Sequence, residues 1–450
     1  MPIPQSAEGR KAYELDRAHV FHSWSAQASL DPFVFAKGDG SYLIDADGKR
    51  YLDFSSQLVF TNIGHQHPRL VEAIKKQAET LCTLAPAHAV ASRGEAAKLI
   101  TDRLPDSLNK VMFTNGGADA VEHAIRMARL YTGRYKVISQ FRGYHGATQQ
   151  AMNISGDNRR WPNDYGAGAT CRFFGPFLYR SVYHARSEEE ECERALEALE
   201  NLIAFEGPEA FAAIILETIP GTAGFMPPPE GFLPGVRELC DKYGIVMILD
   251  EVMVGFGRTG SWFALDQFDV TPDLVTFAKG VNSGYVPMGG IGLSDDIAHF
   301  FDERAYPGGL TYSGHPLAAA AAAETLKIMA DEKIVENAAH LGNDVFGPAL
   351  AELQDKHPSI GEVRGRGAFW ALDLVTDRET KEPLSPYGTV NEKMKQVLSV
   401  CTANGLLVFN NMHRIHITPP LNLSDEDARK GLAILDNALS VADEFYVGAK

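Results

Sequence analysis

Between about residue 54 and residue 300, short apolar runs alternate with segments of helical pattern. Most of these segments are long enough for a helix that crosses from one strand to the next. Repeated alternation of strand and helix is typical of an α/β domain with a largely parallel sheet. The predicted strands are 110–114, 136–139, 212–216, 245–249 and 274–277.

The two ends of the chain follow a different pattern. Residues 33–54 alternate apolar stretches with Asp-Gly pairs at 39–40 and 47–48, which predicts hairpin strands. The last third of the chain predicts a smaller α+β unit. Its elements are an Ala-rich helical stretch at 315–340, a strand at 368–375, a helix at 391–404 capped by Asn391 and ended by Gly405, a strand near 415–418 and a helix capped by Ser424.

Composition narrows the class of protein. The 450 residues include 58 Asp and Glu against 42 Lys and Arg, and the net charge of −16 argues against a nucleic-acid or anionic-membrane partner. Five scattered cysteines without a CxxC pair favour reduced thiols over disulfides or zinc. The N-terminus has no apolar core of signal-peptide type, and the longest uncharged run, 305–323, contains Gly and Pro. We therefore expect a cytoplasmic protein.

The first candidate for chemistry follows the strand at 110–114. Gly116 and Gly117 lead into a predicted helix that begins near Ala118. A strand, paired glycines and a helix N-terminus together form an anion site, because the backbone can approach the ligand and the first N–H groups point at it. No Lys follows the glycines, so the pattern is not the nucleotide P-loop. A plain tight turn is the alternative.

The second candidate is the acidic pair Asp250-Glu251, which follows the strand at 245–249. Ligands of open α/β sheets bind at such carboxyl ends of strands. The pair resembles a Walker B acid, but the chain has no GxxxxGK[ST] motif. Residues 255–260 match GxGxxG, but they come after the acidic pair and open no clear helix, so we interpret them as a loop and not as a dinucleotide site.

The third candidate is Lys279, which comes directly after the run at 274–277 and Ala278. Most lysines lie on open surface. Partial burial would lower the pKa of this amine and make the neutral form available for Schiff-base chemistry. A lysine that reaches past the strand end to solvent is the alternative.

The three candidates together match what pyridoxal phosphate (PLP) requires. Lys279 follows Asp250 by 29 residues and can bind the cofactor's aldehyde. Asp250 can pair with the pyridine nitrogen and keep it protonated, so that the ring accepts electrons. The glycine turn at 116–117 can hold the phosphate. The sequence therefore predicts PLP as the cofactor.

Over residues 24 to about 442, the chain resembles the class III (ω-) aminotransferases of the fold-type I PLP enzymes. The resemblance is closest in the segments DEVMVGFGRTG and PDLVTFAKG. It implies a mostly parallel central sheet with helices on both faces, and a smaller α+β domain built from both termini. The implied division is an N-terminal segment at 1–54 that contributes to the small domain and the active site, a large PLP-binding domain at 55–315 and a small C-terminal domain at 316–450.

The resemblance also implies roles for individual residues. Lys279 corresponds to the Schiff-base lysine and proton shuttle, and Asp250 to the partner of the pyridine nitrogen. The implied homodimer has shared active sites. The further cofactor residues are Tyr144 and Met253 on the two ring faces, His145 beside Tyr144, Gly116, Gly117 and Ala118 at the phosphate, Glu217 near the ring oxygen, and Thr311 reaching the phosphate of the neighbouring subunit.

Some of these residues have simpler explanations. Tyr144 and Met253 fit ordinary core positions, and His145 fits a hydrogen-bonded turn histidine. The histidine pairs 65/67 and 413/416 have metal-like spacings, but no carboxylate or Cys cluster lies near them in sequence, so we expect no metal site.

The implied reaction is a ping-pong transamination from an ω-amino donor to a 2-oxo acid, pyruvate or 2-oxoglutarate. Arg159 and Arg414 are the candidates for binding the acid's carboxylate. Trp24 and Phe60 match positions that line the donor pocket of the family. The segments SWSAQ and NGGADAVEHAIRMAR look most like the branch that includes taurine–pyruvate aminotransferases.

Other classes remain open on the sequence alone. An aminomutase or a decarboxylase on the same fold would also need PLP, Lys279 and Asp250. The first needs no separate acceptor, and the second releases CO₂. A catalytically silent PLP-binding protein is a further alternative, which the intact Lys279 and Asp250 disfavour.

Overall fold

The computed structural model describes residues 3–164 and 167–449, which form two sheets and the helices packed on them. The strands are β1 (Phe35–Asp39), β2 (Tyr42–Asp45), β3 (Arg50–Phe54), β4 (Lys110–Thr114), β5 (Lys136–Gln140), β6 (Thr170–Phe173), β7 (Phe211–Glu217), β8 (Val246–Asp250), β9 (Leu274–Phe277), β10 (Gly289–Leu293), β11 (Ile360–Arg366), β12 (Phe369–Asp377), β13 (Glu382–Pro383), β14 (Leu406–Asn411) and β15 (Arg414–Ile417).

Helices account for most of the remaining regular structure. They are α1 (Ala7–His19), α2 (Ser56–Val59), α3 (Pro68–Thr80), α4 (Ala91–Thr101), α5 (Gly117–Thr132), α6 (Gln149–Ile154), α7 (Glu188–Glu206), α8 (Phe232–Tyr243), α9 (Asp295–Phe300), α10 (Pro316–Asp331), α11 (Ile334–His340), α12 (Gly347–Lys356), α13 (Glu392–Ala403) and α14 (Asp425–Asp443). Among the described residues, none of them is long and apolar enough to cross a membrane.

The larger sheet has the strand order β4-β10-β9-β8-β7-β5-β6. The strands β9, β8, β7, β5 and β6 are parallel to one another, and β10 runs antiparallel between β4 and β9. The five strands predicted from the apolar runs are all present. The expectation of a mostly parallel central sheet is therefore confirmed.

Both faces of this sheet are buried, which explains why its strands are continuous apolar runs. Along β7 and β8, Ile214 and Met247 pack in one core with helices α4, α7, α8 and α10. Their neighbours Ile215 and Ile248 pack in a second core with α5 and α6. Helices on both faces are typical of doubly wound α/β domains.

The smaller sheet joins the two ends of the chain. Its strand order is β1-β2-β3-β14-β15-β12-β11, with β13 beside β12. The parallel pair β3–β14 aligns Leu52 with Leu406, so the N-terminal hairpin and the C-terminal strands share one sheet. Helices α12, α13 and α14 supply the core beneath it. The smaller α+β unit therefore contains both termini, as expected, while its boundaries at 54 and 315 stay a prediction.

The helix caps predicted in the C-terminal third are present. Asn391 accepts a hydrogen bond from Met394 N at 3.0 Å and caps α13, and Ser424 caps α14 in the same way. The Ala-rich stretch at 315–340 is two helices and not one. Lys333 adopts φ +52° between α10 and α11, and this left-handed residue turns the chain.

Candidate active site

Three of the predicted site residues lie at one edge of the larger sheet. Asp250 ends β8, and Glu217 ends β7 directly beside it in the parallel register. Lys279 follows the end of β9, the strand on the other side of β8. Carboxyl ends of neighbouring parallel strands meet at the same edge, so the topology itself brings these two carboxylates and the amine together.

Asp250 forms a buried pair with His145. The Asp250 Oδ2 atom lies 2.7 Å from His145 Nδ1, and Oδ1 accepts a hydrogen bond from Val252 N at 3.0 Å. Burial alone lowers the pKa of His145, but the hydrogen bond and charge of Asp250 outweigh it and the pKa is raised. Asp250 therefore favours the protonated form of His145, and the two hydrogen bonds fix the orientation of Asp250 at both oxygens.

Glu217 holds the backbone around this pair. Its Oε1 accepts from Tyr144 N, and its Oε2 accepts from Gly221 N, both at 2.9 Å. Burial raises the pKa of Glu217, against the lowering effect of His145. The carboxylate therefore ties the segment that carries Tyr144 to the loop that follows β7.

Lys279 is half-buried, and its amine is unpaired. Its backbone adopts φ +48°, a left-handed conformation that is costly for a side chain of this kind. The Nζ atom makes no hydrogen bond or ion pair with any residue of 3–164 or 167–449. Burial lowers the pKa of Lys279 to about 8, although the charges of Asp250 and Glu217 oppose the shift. Roughly a tenth of this amine is therefore neutral at pH 7, which is far more than at the ordinary pKa of 10.5.

The glycine turn at Gly116 and Gly117 forms a close backbone cradle. A Cβ on Gly117 would lie 2.8 Å from Val252, and one on Gly289 would lie 2.6 Å from the backbone of Gly116. Helix α5 begins at Gly117, so its first N–H groups open toward the turn. The turn borders a cavity of about 240 Å³ that Lys279 and Phe60 also line.

Tyr144 carries a cation on its ring. The Arg159 guanidinium lies 3.4 Å from the ring centroid and pairs with the buried Asp157 at 2.5 Å. The charge of Arg159 also lowers the pKa of Lys279. Arg159 is therefore part of the same electrostatic environment as the lysine.

Comparison with known proteins supplies the family. The family model described as aminotransferase class-III matches residues 24–439. The chain belongs to the class III aminotransferases. Among curated relatives of this aminotransferase, the probable 4-aminobutyrate aminotransferase of Bacillus subtilis is 35% identical over 414 residues, covering 90% of this chain and 92% of that protein. The taurine–pyruvate aminotransferase of Rhodobacter capsulatus is 34% identical over 437 residues, covering 90% of each.

A solved relative has the same architecture as this aminotransferase. The taurine:2-oxoglutarate aminotransferase of Bifidobacterium kashiwanohense, solved with PLP and glutamate, superposes with a TM-score of 0.93 at 41% identity and covers 96% of this chain and 98% of that one. The expected fold type I and the assignment as an aminotransferase are both confirmed, and PLP is the cofactor of the family.

The residues of this aminotransferase fit PLP. The unpaired amine of Lys279 suits the aldehyde, the fixed carboxylate of Asp250 suits a protonated pyridine nitrogen, and the open N-terminus of α5 suits a phosphate. Ala118 offers no hydroxyl, so the phosphate would rest on backbone N–H groups.

Some predicted residues of this aminotransferase lie elsewhere. The apolar side chain that packs on Gly117 is Val252, whereas Met253 contacts Gly221 and Thr222. The strand ends at Asp250, and the turns that follow it decide which side chain faces the cradle. Periodicity does not reveal that choice.

Three predicted site residues, Trp24, Thr311 and Arg414, do not line the Lys279 cavity. Trp24 is 63% exposed, and Thr311 lies on an exposed turn. Arg414 lines a separate cavity of about 170 Å³, together with Arg142, which sequence reasoning missed. Arg142 stands two residues before Tyr144, and no motif in the sequence marks it.

Proposed function

We propose that this aminotransferase moves an amino group from an ω-amino donor to a 2-oxo acid in two half-reactions. The observation that carries the proposal is that the unpaired amine of Lys279, which lines a cavity, lies at the same sheet edge as the Asp250–His145 pair. Bound PLP supplies an aldehyde that captures amines and a ring that accepts electrons. The chain must supply the binding, the orientation and the proton transfers.

The proposed roles follow from position and charge. Lys279 would hold the cofactor, and its freed amine would move a proton from the carbon that bears the donor's amine to the cofactor. Asp250 would pair with the pyridine nitrogen, and His145, 2.7 Å away, orients that carboxylate. Glu217 fixes the segment that carries Tyr144.

The remaining cofactor contacts are proposed as follows. Tyr144 covers one face of the ring, and Val252 takes the role that the sequence assigned to Met253, because Val252 packs on the glycine turn. The phosphate is bound by the backbone of Gly116, Gly117 and Ala118.

The proposed donor carries its amine remote from an acid group. Taurine and 4-aminobutyrate are such compounds, and relatives named for both are about one third identical to this chain. Phe60 lines the Lys279 cavity and supports a partly apolar donor pocket, to which Trp24 is assigned as well. Arg159 and Arg414 are the proposed partners of acid groups on the substrates.

We also propose a cytoplasmic homodimer with shared active sites. Thr311 would reach the phosphate of the neighbouring subunit, and Trp24 would complete the neighbouring donor pocket. The exposure of Phe21, Trp24 and Tyr312, at 83%, 63% and 61%, supports a covering partner.

A matrix of donors and acceptors tests the proposed reaction. Taurine, β-alanine, 4-aminobutyrate, ornithine and 1-phenylethylamine are each incubated with pyruvate and with 2-oxoglutarate, using PLP-loaded protein. We expect amino transfer that needs both partners, and none from Lys279→Ala. Release of CO₂, or conversion of a donor without any acceptor, would assign the protein to a different reaction.

A further inference from the structure

A second cavity, of about 170 Å³, adjoins the proposed active site. Arg142 and Asp157 form one wall, and residues 411–414, which link β14 to β15, form another. Asp157 pairs with Arg159, whose guanidinium lies on the Tyr144 ring. Arg159 thus connects Asp157 on the cavity wall to the ring of Tyr144, a proposed cofactor residue.

Two guanidinium groups that line this cavity have no acid partner. The Arg142 guanidinium makes no hydrogen bond or ion pair with any described residue, and it lies 5.2 Å from the centroid of the Phe177 ring. Arg414 reaches only the sulfur of Met412 at 3.8 Å, and its Nε atom is buried without a partner. Gly224 leaves the space for the Arg414 stem, since a Cβ there would lie 2.5 Å from Cδ. Partly desolvated cations without acceptors are costly unless a ligand completes them.

The carboxylates around the cavity are already engaged. Asp373 lies 2.8 Å from Arg180 Nη2, 3.5 Å from Arg364 Nη2 and 3.3 Å from His413 Nε2. Glu362 pairs with Arg364, as Asp157 does with Arg159. Burial would raise the pKa of Asp373, but these neighbours hold it well below its usual range. The Asp373 charge also acts on Arg142 and Arg414 and opposes the lowering of their pKa by burial, but neither guanidinium forms an ion pair with it among the described residues.

Resting on the transamination proposed above, we propose that the acceptor is a dicarboxylic 2-oxo acid of the 2-oxoglutarate type, whose two carboxylates are bound by Arg142 and Arg414. One carboxylate takes one guanidinium in a bidentate pair. A monocarboxylic acceptor such as pyruvate would leave the other guanidinium unpaired in a closed space. Arg142 is then a substrate-binding residue that selects for the second acid group.

Acceptor kinetics test this selection. With one donor, kcat/KM is compared for 2-oxoglutarate, for 2-oxopentanoate, which has the same chain length but one carboxylate, and for pyruvate. A site built around a polar group rejects analogues that lack it, so we expect 2-oxoglutarate to be preferred by about 100-fold or more. Arg142→Gln should reduce this preference at least about tenfold. Arg142→Lys should retain part of it, and Arg186→Gln, on the exposed surface, should leave it unchanged.

Binding of unreactive acids gives a second measure. Glutarate and butyrate are titrated by calorimetry into the PLP-loaded wild type and Arg142→Gln. We expect glutarate to bind wild type at least about tenfold more tightly than butyrate, and the substitution to remove that difference. A glutarate affinity that does not depend on Arg142 would overturn the proposal.

The possible failures are distinguishable. Equal use of pyruvate and 2-oxoglutarate by the wild type would overturn the diacid acceptor but leave transamination intact. If Arg142→Gln raises the KM for taurine but not the KM for 2-oxoglutarate, the cavity binds the acid group of the donor. That result would also overturn the proposal of a diacid acceptor. No amino transfer to any acceptor would instead refute the proposed function.

Discussion

Lys279 combines a desolvated amine with a left-handed backbone conformation. Each feature is unfavourable to folding, because burial penalises the charged amine and φ +48° brings Cβ close to the backbone. Such strain persists only where the surrounding structure imposes it, and it concentrates at functional sites. Lys279 is therefore arranged for chemistry at the expense of local stability.

The lowered pKa of Lys279 predicts how cofactor uptake depends on pH. The neutral amine is the form that reacts, and it becomes dominant above a pKa of about 8 in place of the ordinary 10.5. We expect the rate of PLP incorporation into cofactor-free protein to rise with pH up to about 8 and then level off. Stopped-flow absorbance from pH 6.5 to 9.5 measures this. A rate that still rises steeply at pH 9.5, as for free lysine, would contradict the buried amine.

Replacing Asp250 tests the carboxylate–imidazole pair. Asp250→Asn keeps the shape but removes the charge that faces His145 and, in the proposal, the pyridine nitrogen. Preorganised charges of this kind contribute about 10²–10³ in rate, so we expect kcat/KM to fall by that factor. Asp241→Asn, at an exposed helix position, is the control. Activity within about threefold of the wild type would remove Asp250 from the mechanism.

Strand-end positions made part of the site predictable. Asp250, Glu217 and Lys279 each follow or end an apolar run, and parallel topology then places them together. Arg142 was not predictable, because it lines one cavity with Arg414 only through the tertiary arrangement of distant segments. Which of Val252 and Met253 packs on the glycine turn depends on the turn after β8, which the sequence pattern does not predict.

At the scale of elements, the loop at 255–260 has a structural role that its GxGxxG-like pattern does not indicate. Arg258 is fully buried and donates to Pro419 O at 2.5 Å, Ala368 O at 3.2 Å and Asn62 Oδ1 at 2.7 Å. Burial lowers the pKa of Arg258 to about 9. The loop therefore connects the larger sheet to segments before β12 and after β15.

Substitution of Arg258 should destabilise the whole fold. Arg258→Leu leaves three buried acceptors without a donor, so we expect the free energy of unfolding to fall by about 3 kcal/mol. The measurement is the Tm of the cofactor-free protein. Arg366→Leu, which removes an exposed guanidinium nearby, is the matched control. Equal Tm values for the two variants would contradict the connecting role.

Element prediction failed where glycine replaced the usual apolar pattern. The sequence of β10 is GGIGL, and it was not identified as a strand. A Cβ on Gly290 would lie 2.4 Å from the Phe277 ring, and one on Gly292 would lie 2.6 Å from Leu104. The strand is poor in side chains because its neighbours occupy their space, a constraint that only the packed structure reveals.

At the scale of the whole molecule, the net charge of −16 contrasts with the cations at the site. Lys279, Arg159, Arg142 and Arg414 all lie near the proposed cofactor and substrate positions. Anionic small molecules can still be substrates of this acidic protein, because the charged groups at the site, and not the net charge, determine how such molecules bind.

The proposed dimer makes a prediction at Thr311. If its hydroxyl binds the phosphate of the neighbouring subunit, Thr311→Ala should weaken PLP binding about tenfold, since a hydrogen bond to a charged group contributes roughly 1.5–3 kcal/mol. The PLP that is retained after dialysis measures cofactor binding, and sedimentation velocity measures the oligomeric state. Thr80→Ala, at the exposed end of α3, is the control. A fully active monomer would contradict shared sites.

The central claim is that Lys279 carries the cofactor. PLP-loaded protein is reduced with borohydride, digested and mapped by mass spectrometry, with Lys279→Ala and the exposed-lysine variant Lys395→Ala processed in parallel. We predict a single pyridoxyl group on Lys279 in the wild type and in Lys395→Ala, and none in Lys279→Ala. A pyridoxyl group fixed to a different lysine in the wild type would contradict the account.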